Sequence, residues 1–389
     1  MFRIKTMNKI SPLGLAQLNS ALFETGDSFT GEDAILVRSA DLHNYEFPAE
    51  LKAIARAGAG VNNIPLDRAA NAGIVVFYAP GANANAVKEL VICALLLASR
   101  NVSGGIEWVR SQAAAGADVA AIVEKGKAAY VGPEIMGKTL AVVGLGAVGV
   151  LVANAAAALG MNVVGYDPFL SIETALRLDT SVRVVKDLDD LYRDADYISL
   201  HLPMNKTTAN SFNNEAFAQM KDGVRIVNLA RGELVNTGAL LTALTAGKVA
   251  CYVTDFPTSD LAKARNVIPI PHLGASTPES EDNCAMMAAR EVQDYLLSGN
   301  IVNAVNLPNL SMDWHTGTRV CILSKGTEDL AGTFTTILTM PAPGVAAMAT
   351  KSLGEFSYTI LDISGAVEDE QIQKLEAIPG VIRVRVLTR

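Results

Sequence analysis

Cysteine and histidine are both scarce, four of each in 389 residues. Cys93, Cys251, Cys284 and Cys321 form no metal-type spacing, and three of them sit in apolar contexts typical of reduced core thiols. No metal is expected. Charged residues are also sparse, 19% against 50% hydrophobic, which supplies ample buried surface. Yet no uninterrupted apolar run is long enough to span a bilayer. The run Leu90 to Ala98 is too short, follows Lys88 and Glu89, and reads as a buried helix. The opening Met-Phe-Arg-Ile-Lys lacks the apolar segment of a secretory signal, so the chain is expected in the cytoplasm with no membrane partner. Positive charge is in deficit, giving a net charge of −8. That disfavours nucleic acid as a partner and gives weight to any local basic cluster, since an anionic substrate must be gathered against the overall field. The length exceeds one typical core and predicts two or three domains.

Against this background one stretch stands out: Thr139-Leu-Ala-Val-Val-Gly144-Leu-Gly146-Ala-Val-Gly149, with Gly165-Tyr166-Asp167 further on. Leu140 to Val143 reads as a buried parallel strand, and Ala147 to Leu159 continues at helical spacing. The three glycines therefore sit at a strand-to-helix turn. Gly144 permits the tight turn, Gly146 lets the backbone approach a pyrophosphate, and Gly149 lets the helix pack closely on the strand. The N–H groups at the helix start, Ala147 and Val148 among them, would face the phosphates. A second strand, Met161 to Tyr166, ends in Asp167, at the spacing where a carboxylate accepts from the adenosine ribose hydroxyls and repels a 2′-phosphate. The cofactor read from these residues is NAD rather than NADP.

Three regions follow along the chain. Ala34 to Val37, Leu51 to Ala57 and Ile74 to Phe77 are short apolar strands alternating with helices. Strands at Thr139 to Val143, Asn162 to Tyr166, Ala195 to Leu200, Arg225 to Asn228, Ala250 to Thr254 and Val267 to Pro269 imply a doubly wound parallel sheet. The helix Glu279 to Leu297 returns to the first region, with a cleft expected between the two. A segment rich in Asn and Pro, Asn303 to Asn309, reads as a linker. Beyond it, Arg319 to Leu323, Thr327 to Ile337, Val345 to Ser352, Glu355 to Ile363, Glu368 to Ile378 and Val381 to Leu387 read β-α-β-β-α-β, a ferredoxin-like pattern. The expected α/β architecture is thus a Rossmann domain over 86–273, a discontinuous flavodoxin-like substrate domain over 1–85 and 274–309, and a C-terminal module over 318–389.

Arg56-Ala-Gly-Ala-Gly-Val-Asn-Asn63, the glycine turn, Asn228-Leu-Ala-Arg231-Gly, Thr254-Asp255-Phe256 and Pro271-His272-Leu-Gly-Ala-Ser-Thr277 together resemble the D-isomer-specific 2-hydroxyacid dehydrogenases. The similarity covers about 1–309, and the C-terminal module resembles an ACT domain, a small regulatory fold. The resemblance implies NAD-dependent oxidation of a small 2-hydroxy acid. Such a reaction needs a group to hold the carboxylate and a group to take the hydroxyl proton. Arg231, directly after an apolar strand, fits the first because a guanidinium grips a carboxylate with two parallel bonds. His272 fits the second, as an imidazole near neutral pKa. His43, His201 and His315 carry no such context and read as structural.

The family also pairs the histidine with a glutamate, and here the chain departs. Counting on from Arg231, that position falls on Asp260, in a loop shorter than usual. The resemblance further implies that Asp255 contacts the nicotinamide carboxamide, with Ala230 and Pro203 lining the same crevice. Arg38 and Arg56 match positions that face a substrate phosphate in family members acting on phosphorylated acids, and Lys127 is a candidate third cation. Gly58, Gly60 and Val61 would offer N–H groups to the substrate carboxylate. Subunits would pair through Val87 to Ala98 as a homodimer or homotetramer. A different 2-hydroxyacid dehydrogenase or a glyoxylate-type reductase is the alternative enzyme, and an NAD-sensing corepressor-like scaffold the alternative without catalysis. In the module, Leu323-Ser-Lys-Gly-Thr-Glu328 puts Ser324 and Gly326 where serine-inhibited relatives carry histidine and asparagine, so the module is expected to serve packing or assembly.

Overall fold

Apolar runs of four or five residues make parallel strands buried on both faces, because only such runs leave nothing polar to solvate under covering helices. A computed structural model describes residues 1–314, 317–326, 328–339 and 344–388. The chain divides into two compact units, Met1–Asn83 with Pro278–Arg389, and Ala84–Thr277.

The first unit holds a parallel sheet of β1 (Phe2–Met7), β2 (Phe23–Gly26), β3 (Ala34–Val37), β4 (Ala53–Arg56) and β5 (Val75–Tyr78) in the order β2-β1-β3-β4-β5. This is the flavodoxin-like winding. β3 is wholly buried, whereas β1 buries only Ile4. Lys5 on β1, partly exposed, donates to the Phe29 carbonyl and the Tyr45 hydroxyl. That mixed pattern is why β1 escapes a reading based on apolar runs.

The second unit holds β6 (Thr139–Val143), β7 (Asn162–Tyr166), β8 (Arg183–Val185), β9 (Tyr197–Leu200), β10 (Val224–Asn228), β11 (Val249–Thr254) and β12 (Val267–Pro269). Their order, β12-β11-β10-β9-β6-β7-β8, is parallel throughout and reverses direction beside β6. This is the Rossmann winding, with the switch point where the glycine turn lies. Among the described residues no single helix is long and apolar enough to cross a membrane. None of their His, Cys, Asp and Glu side chains form a group of three that could hold a metal.

The C-terminal strands β13 (Thr318–Lys325), β14 (Val345–Leu353), β15 (Phe356–Ile363) and β16 (Val381–Thr388) form an antiparallel sheet, β14-β15-β13-β16, with helices Ala331–Thr339 and Asp369–Glu376. The pattern is ferredoxin-like. It is not a tethered third body. Cys321, Leu323, Tyr358 and Ile360 join one core with Phe77, Ala288 and Tyr295 of the first unit. Arg385 donates to the carbonyls of Tyr295 and Leu296 at 3.0 and 2.8 Å, in the last turn of the helix Pro278–Ser298. The Tyr358 hydroxyl donates to the Gly299 carbonyl at 2.7 Å. Ser324 is buried in β13, while Thr327 and His315 lie outside the described residues.

The segment read as a linker proves to be an edge cover. Asn306 accepts from the Val76 N–H at 2.8 Å and donates to the Ile74 carbonyl at 2.9 Å, so its side-chain amide pairs with β5 as a backbone would. Asn309 does the same to Ala304. The edge of a parallel sheet is thereby closed with side chains.

Asn303, at φ +59°, donates to Glu291 at 2.7 Å, and the second oxygen of that buried carboxyl has no partner. Burial pushes Glu291 up to about 8 from the usual 4.5. Between those values the folded chain holds a proton that the unfolded chain has released, so this group stabilises fully at low pH and its contribution is lost as pH rises from 4.5 through 8. Urea unfolding across that window should show a wild-type decline that Glu291→Gln removes. An equal slope in the variant would clear Glu291.

Candidate active site

The turn after β6 is shaped by close backbone approach. Gly144 takes φ +95°, and a Cβ there would stand 2.6 Å from the His201 carbonyl oxygen. A Cβ on Gly149 would stand 1.9 Å from the Gly144 oxygen. Beside Gly146 the space is open, with nothing within 4 Å of where a Cβ would lie. The helix Ala147–Ala158 starts there without a side-chain cap, leaving the first N–H groups, those of Ala147 and Val148, for a ligand. An open, uncapped helix start on a positive dipole end fits a pyrophosphate. Asp167 accepts from the Leu145 N–H at 2.9 Å and the Phe169 N–H at 2.8 Å, tying the end of β7 to the turn. Each oxygen keeps a lone pair.

Across the same strand ends, Asn228 is fully buried and sets the next loop. Its Oδ1 accepts from the N–H groups of Ala230 and Arg231, and its Nδ2 donates to the Arg231 carbonyl at 2.8 Å and the Tyr252 hydroxyl at 3.1 Å. The Arg231 guanidinium donates only to the Ala230 carbonyl, at 2.6 Å, and has no carboxylate partner among the described residues. His272 follows β12 and is exposed. Its ring tilts over Phe256 at 4.5 Å between centroids, and neither nitrogen is hydrogen-bonded among the described residues.

Asp255, at the end of β11, is 1% exposed. One oxygen accepts from the Gly274 N–H at 3.0 Å, and the other is buried with no partner. Burial raises its pKa, while the Gly274 bond and the nearby His272 and Arg231 act the other way. Asp255 is therefore a buried carboxylate whose charged form both Arg231 and His272 favour, and its second oxygen, with no partner among the described residues, suits an amide donor. Asp260 is different. It lies in the first turn of the short helix Ser259–Lys263, exposed and unpaired among the described residues, so the structure does not join it to His272. The shortened loop spends its residues on a helix capped by Thr258, which turns Asp260 to solvent. Sequence spacing pointed to Asp260, and Phe256 went unnoticed; the signal for Phe256 was its place directly after Asp255. Ala230 is half-buried and Pro203 exposed.

Within the first unit, Arg56 Nε donates to the Arg38 carbonyl at 3.1 Å, so the structure does bring these two arginines together. The Arg56 guanidinium lies over Gly58. The Gly58 N–H is already spent on the Arg56 carbonyl at 2.8 Å, a correction to its expected role as a free donor. Gly60 and Val61 have no such bond. Lys127 belongs to the second unit, is ion-paired to Glu124, and lines an apolar cavity of about 590 Å³ with Trp108, Val109 and Tyr130. It does not join the arginines in one body. The buried face of the helix Ala84–Ser99, including Val87, Val91, Leu95 and Ala98, is consumed in the second unit's core. His43 is bonded to Asp41, and His201, bonded to Ser199, is held down to about 4 by burial.

Comparison with known proteins agrees with this geometry. Residues 92–274 match the family model described as D-isomer specific 2-hydroxyacid dehydrogenase, NAD binding domain. The D-3-phosphoglycerate dehydrogenase of Bacillus subtilis is 35% identical over 80% of this chain and 60% of its own length. That of Mycobacterium tuberculosis is 40% identical over 71% of this chain and 51% of its own. The chain thus spans about half to three fifths of these relatives. The NAD⁺-bound 3-phosphoglycerate dehydrogenase of Entamoeba histolytica superposes with a TM-score of 0.60 at 25% identity, covering 78% of this chain and 98% of that one. The D-mandelate dehydrogenase of Rhodotorula graminis gives 0.64 at 25% identity, covering 78% and 97%. Residues 92–274 are thus matched to the NAD-binding domain of the D-isomer-specific 2-hydroxyacid dehydrogenases.

Proposed function

We propose that the chain oxidises D-3-phosphoglycerate to 3-phosphohydroxypyruvate with NAD, the first step of L-serine biosynthesis, in the cytoplasm. The observation that carries this reading is the grouping of Arg231, His272 and buried Asp255 at the carboxyl ends of a sheet whose glycine turn leaves an uncapped phosphate cradle. NAD, when bound, supplies the hydride acceptor. Arg231 grips the substrate carboxylate, since most of its donors are unspent. His272 takes the hydroxyl proton during oxidation and returns it in reduction. Phe256 beneath the ring restricts the orientation of that imidazole. Asp255 accepts from the carboxamide with its free oxygen, and Asp167 holds the ribose hydroxyls. Arg38 and Arg56 take the phosphate, and the Gly60 and Val61 N–H groups assist at the carboxylate.

Self-association as a homodimer or homotetramer belongs to the same reading. The helices Val102–Ala114 and Val119–Gly126 bury no residue of their own, and Val102, Ile106 and Val109 stand exposed along the apolar cavity. A second copy would cover them.

A second reading, a dehydrogenase for an unphosphorylated 2-hydroxy acid, draws on one observation: Arg38 is already ion-paired to Glu281. NADH absorbance with D-3-phosphoglycerate and D-glycerate separates the two. The proposed function expects kcat/KM to favour the phosphorylated acid, and Arg56→Ala to raise its KM far more than that for glycerate. Equal effects on both acids would favour the second reading, and no turnover of either would favour an NAD-sensing scaffold.

A further inference from the structure

The two arginines assigned to the phosphate do not stand bare. Arg38 Nη2 lies 2.6 Å from Glu281 Oε1, with the two side chains 41% and 43% exposed. Glu281 sits in the first turn of the helix Pro278–Ser298, in the same unit as both arginines. Arg56 Nε donates to the Arg38 carbonyl at 3.1 Å, so the ion pair and the second arginine form one cluster, whose charges act on the buried Cys284 thiol one turn on. The cluster thus holds two cations and one carboxylate within reach of solvent. A guanidinium offers a limited fork of donors, so a carboxylate on Arg38 and an incoming anion compete for the same face. An exposed ion pair is worth little, about 0.2–1 kcal/mol. A phosphate monoester, at roughly −1.5 to −2 charge near neutral pH, has more to gain from the pair than a single carboxylate.

We propose that Glu281 is an internal counterion of the Arg38–Arg56 site, occupying Arg38 until an anionic group displaces it. It weakens the binding of every anion that reaches the pair by the cost of breaking one ion pair. Free inorganic phosphate, held at this pair alone, leaves the site largely open at modest concentration. A substrate held at other points as well meets the cost and still binds. The inference rests on the reading that the arginine pair takes the phosphate.

The alternative role for Glu281, as a strut that positions Arg38, predicts the opposite sign, which makes the test decisive. Calorimetric titration of the full chain with inorganic phosphate at fixed ionic strength requires no turnover. Glu281→Gln should bind phosphate roughly 1.4- to fivefold more tightly, the fold-change equivalent of the exposed pair. Glu281→Asp, which keeps the charge, should stay close to wild type. KM for D-3-phosphoglycerate should fall in Glu281→Gln with kcat unchanged. Unchanged or weaker phosphate binding in Glu281→Gln would overturn the proposal. Arg38→Ala serves as the separate control: if it binds phosphate as wild type does, the fault lies in the phosphate assignment of the arginine pair. Tighter phosphate binding in Glu281→Gln without turnover of phosphoglycerate would leave the counterion standing and reject the proposed substrate.

Discussion

Replacing His272 by alanine is expected to lower kcat by roughly 10² to 10⁴, the usual worth of a positioned acid or base. The imidazole has no hydrogen-bond partner among the described residues and packs on Phe256, so its removal deletes a proton acceptor without unsealing a core. Folding should survive, and intact thermal unfolding in the variant would confirm that the loss is chemical. Arg231→Lys should also be severe, because an ammonium cannot make the two parallel bonds to a carboxylate that a guanidinium makes. Its effect should appear in both kcat and KM, whereas that of His272→Ala should fall mainly on kcat. The pH profile then identifies the carboxylate beside the imidazole. Asp255→Asn removes a buried charge that His272 and Arg231 both feel, and should move the profile to lower pH. Asp260→Asn should superimpose on wild type, since Asp260 is exposed and unpaired. A shift with Asp260 and none with Asp255 would reverse this assignment.

The largest stability effect is expected at Arg319. It is completely buried and makes a two-pronged pair with Asp362, at 2.7 and 3.1 Å. Its remaining donors reach the carbonyls of Ser298 and Met312 at 3.0 Å each and of Asp313 at 2.9 Å. One side chain therefore ties the C-terminal sheet to the end of the helix Pro278–Ser298 and to the chain that follows it. Arg319→Ala takes the buried cation away from the Asp362 carboxylate and a donor away from each of three carbonyls, at a cost of about 3–5 kcal/mol. Replacing both partners, Arg319→Met with Asp362→Leu, removes the uncompensated buried charge but not the three carbonyl acceptors. The double variant should recover only part of the loss, measured as urea unfolding of the full chain. Complete recovery would show that the ion pair alone mattered. A loss under about 1 kcal/mol in Arg319→Ala would show that the sheet is only loosely attached, contrary to a core that joins Cys321 and Tyr358 to Phe77.

These predictions rest on parts of the molecule that differ in how far the sequence revealed them. The glycine turn, the central strands of both parallel sheets and the long return helix were legible from the chain, because each is governed by local chemistry. A turn where a Cβ would collide with backbone demands glycine, a strand buried on both faces demands an apolar run, and a helix shows its period. β1 was not legible, since Lys5 reaches its partners through a fold that sequence does not display. The asparagines of 303–309 read as a linker because their composition is that of a loop; only the neighbouring β5 makes them a sheet edge.

The site divides along the same line. Arg231 and His272 were named by motif, for their roles depend on side-chain type and on strand ends the motif itself marks. Which carboxylate accompanies them depended on where a shortened loop turned, and tertiary packing put Asp255 inside and Asp260 outside. The pairing of Arg38 with Glu281 spans more than two hundred residues, and no local pattern carries it. The same holds for the C-terminal sheet. Its β-α-β-β-α-β order was written in the sequence, but its union with the first unit's core was decided by buried arginines whose partners are backbone carbonyls, and a carbonyl leaves no signature in sequence.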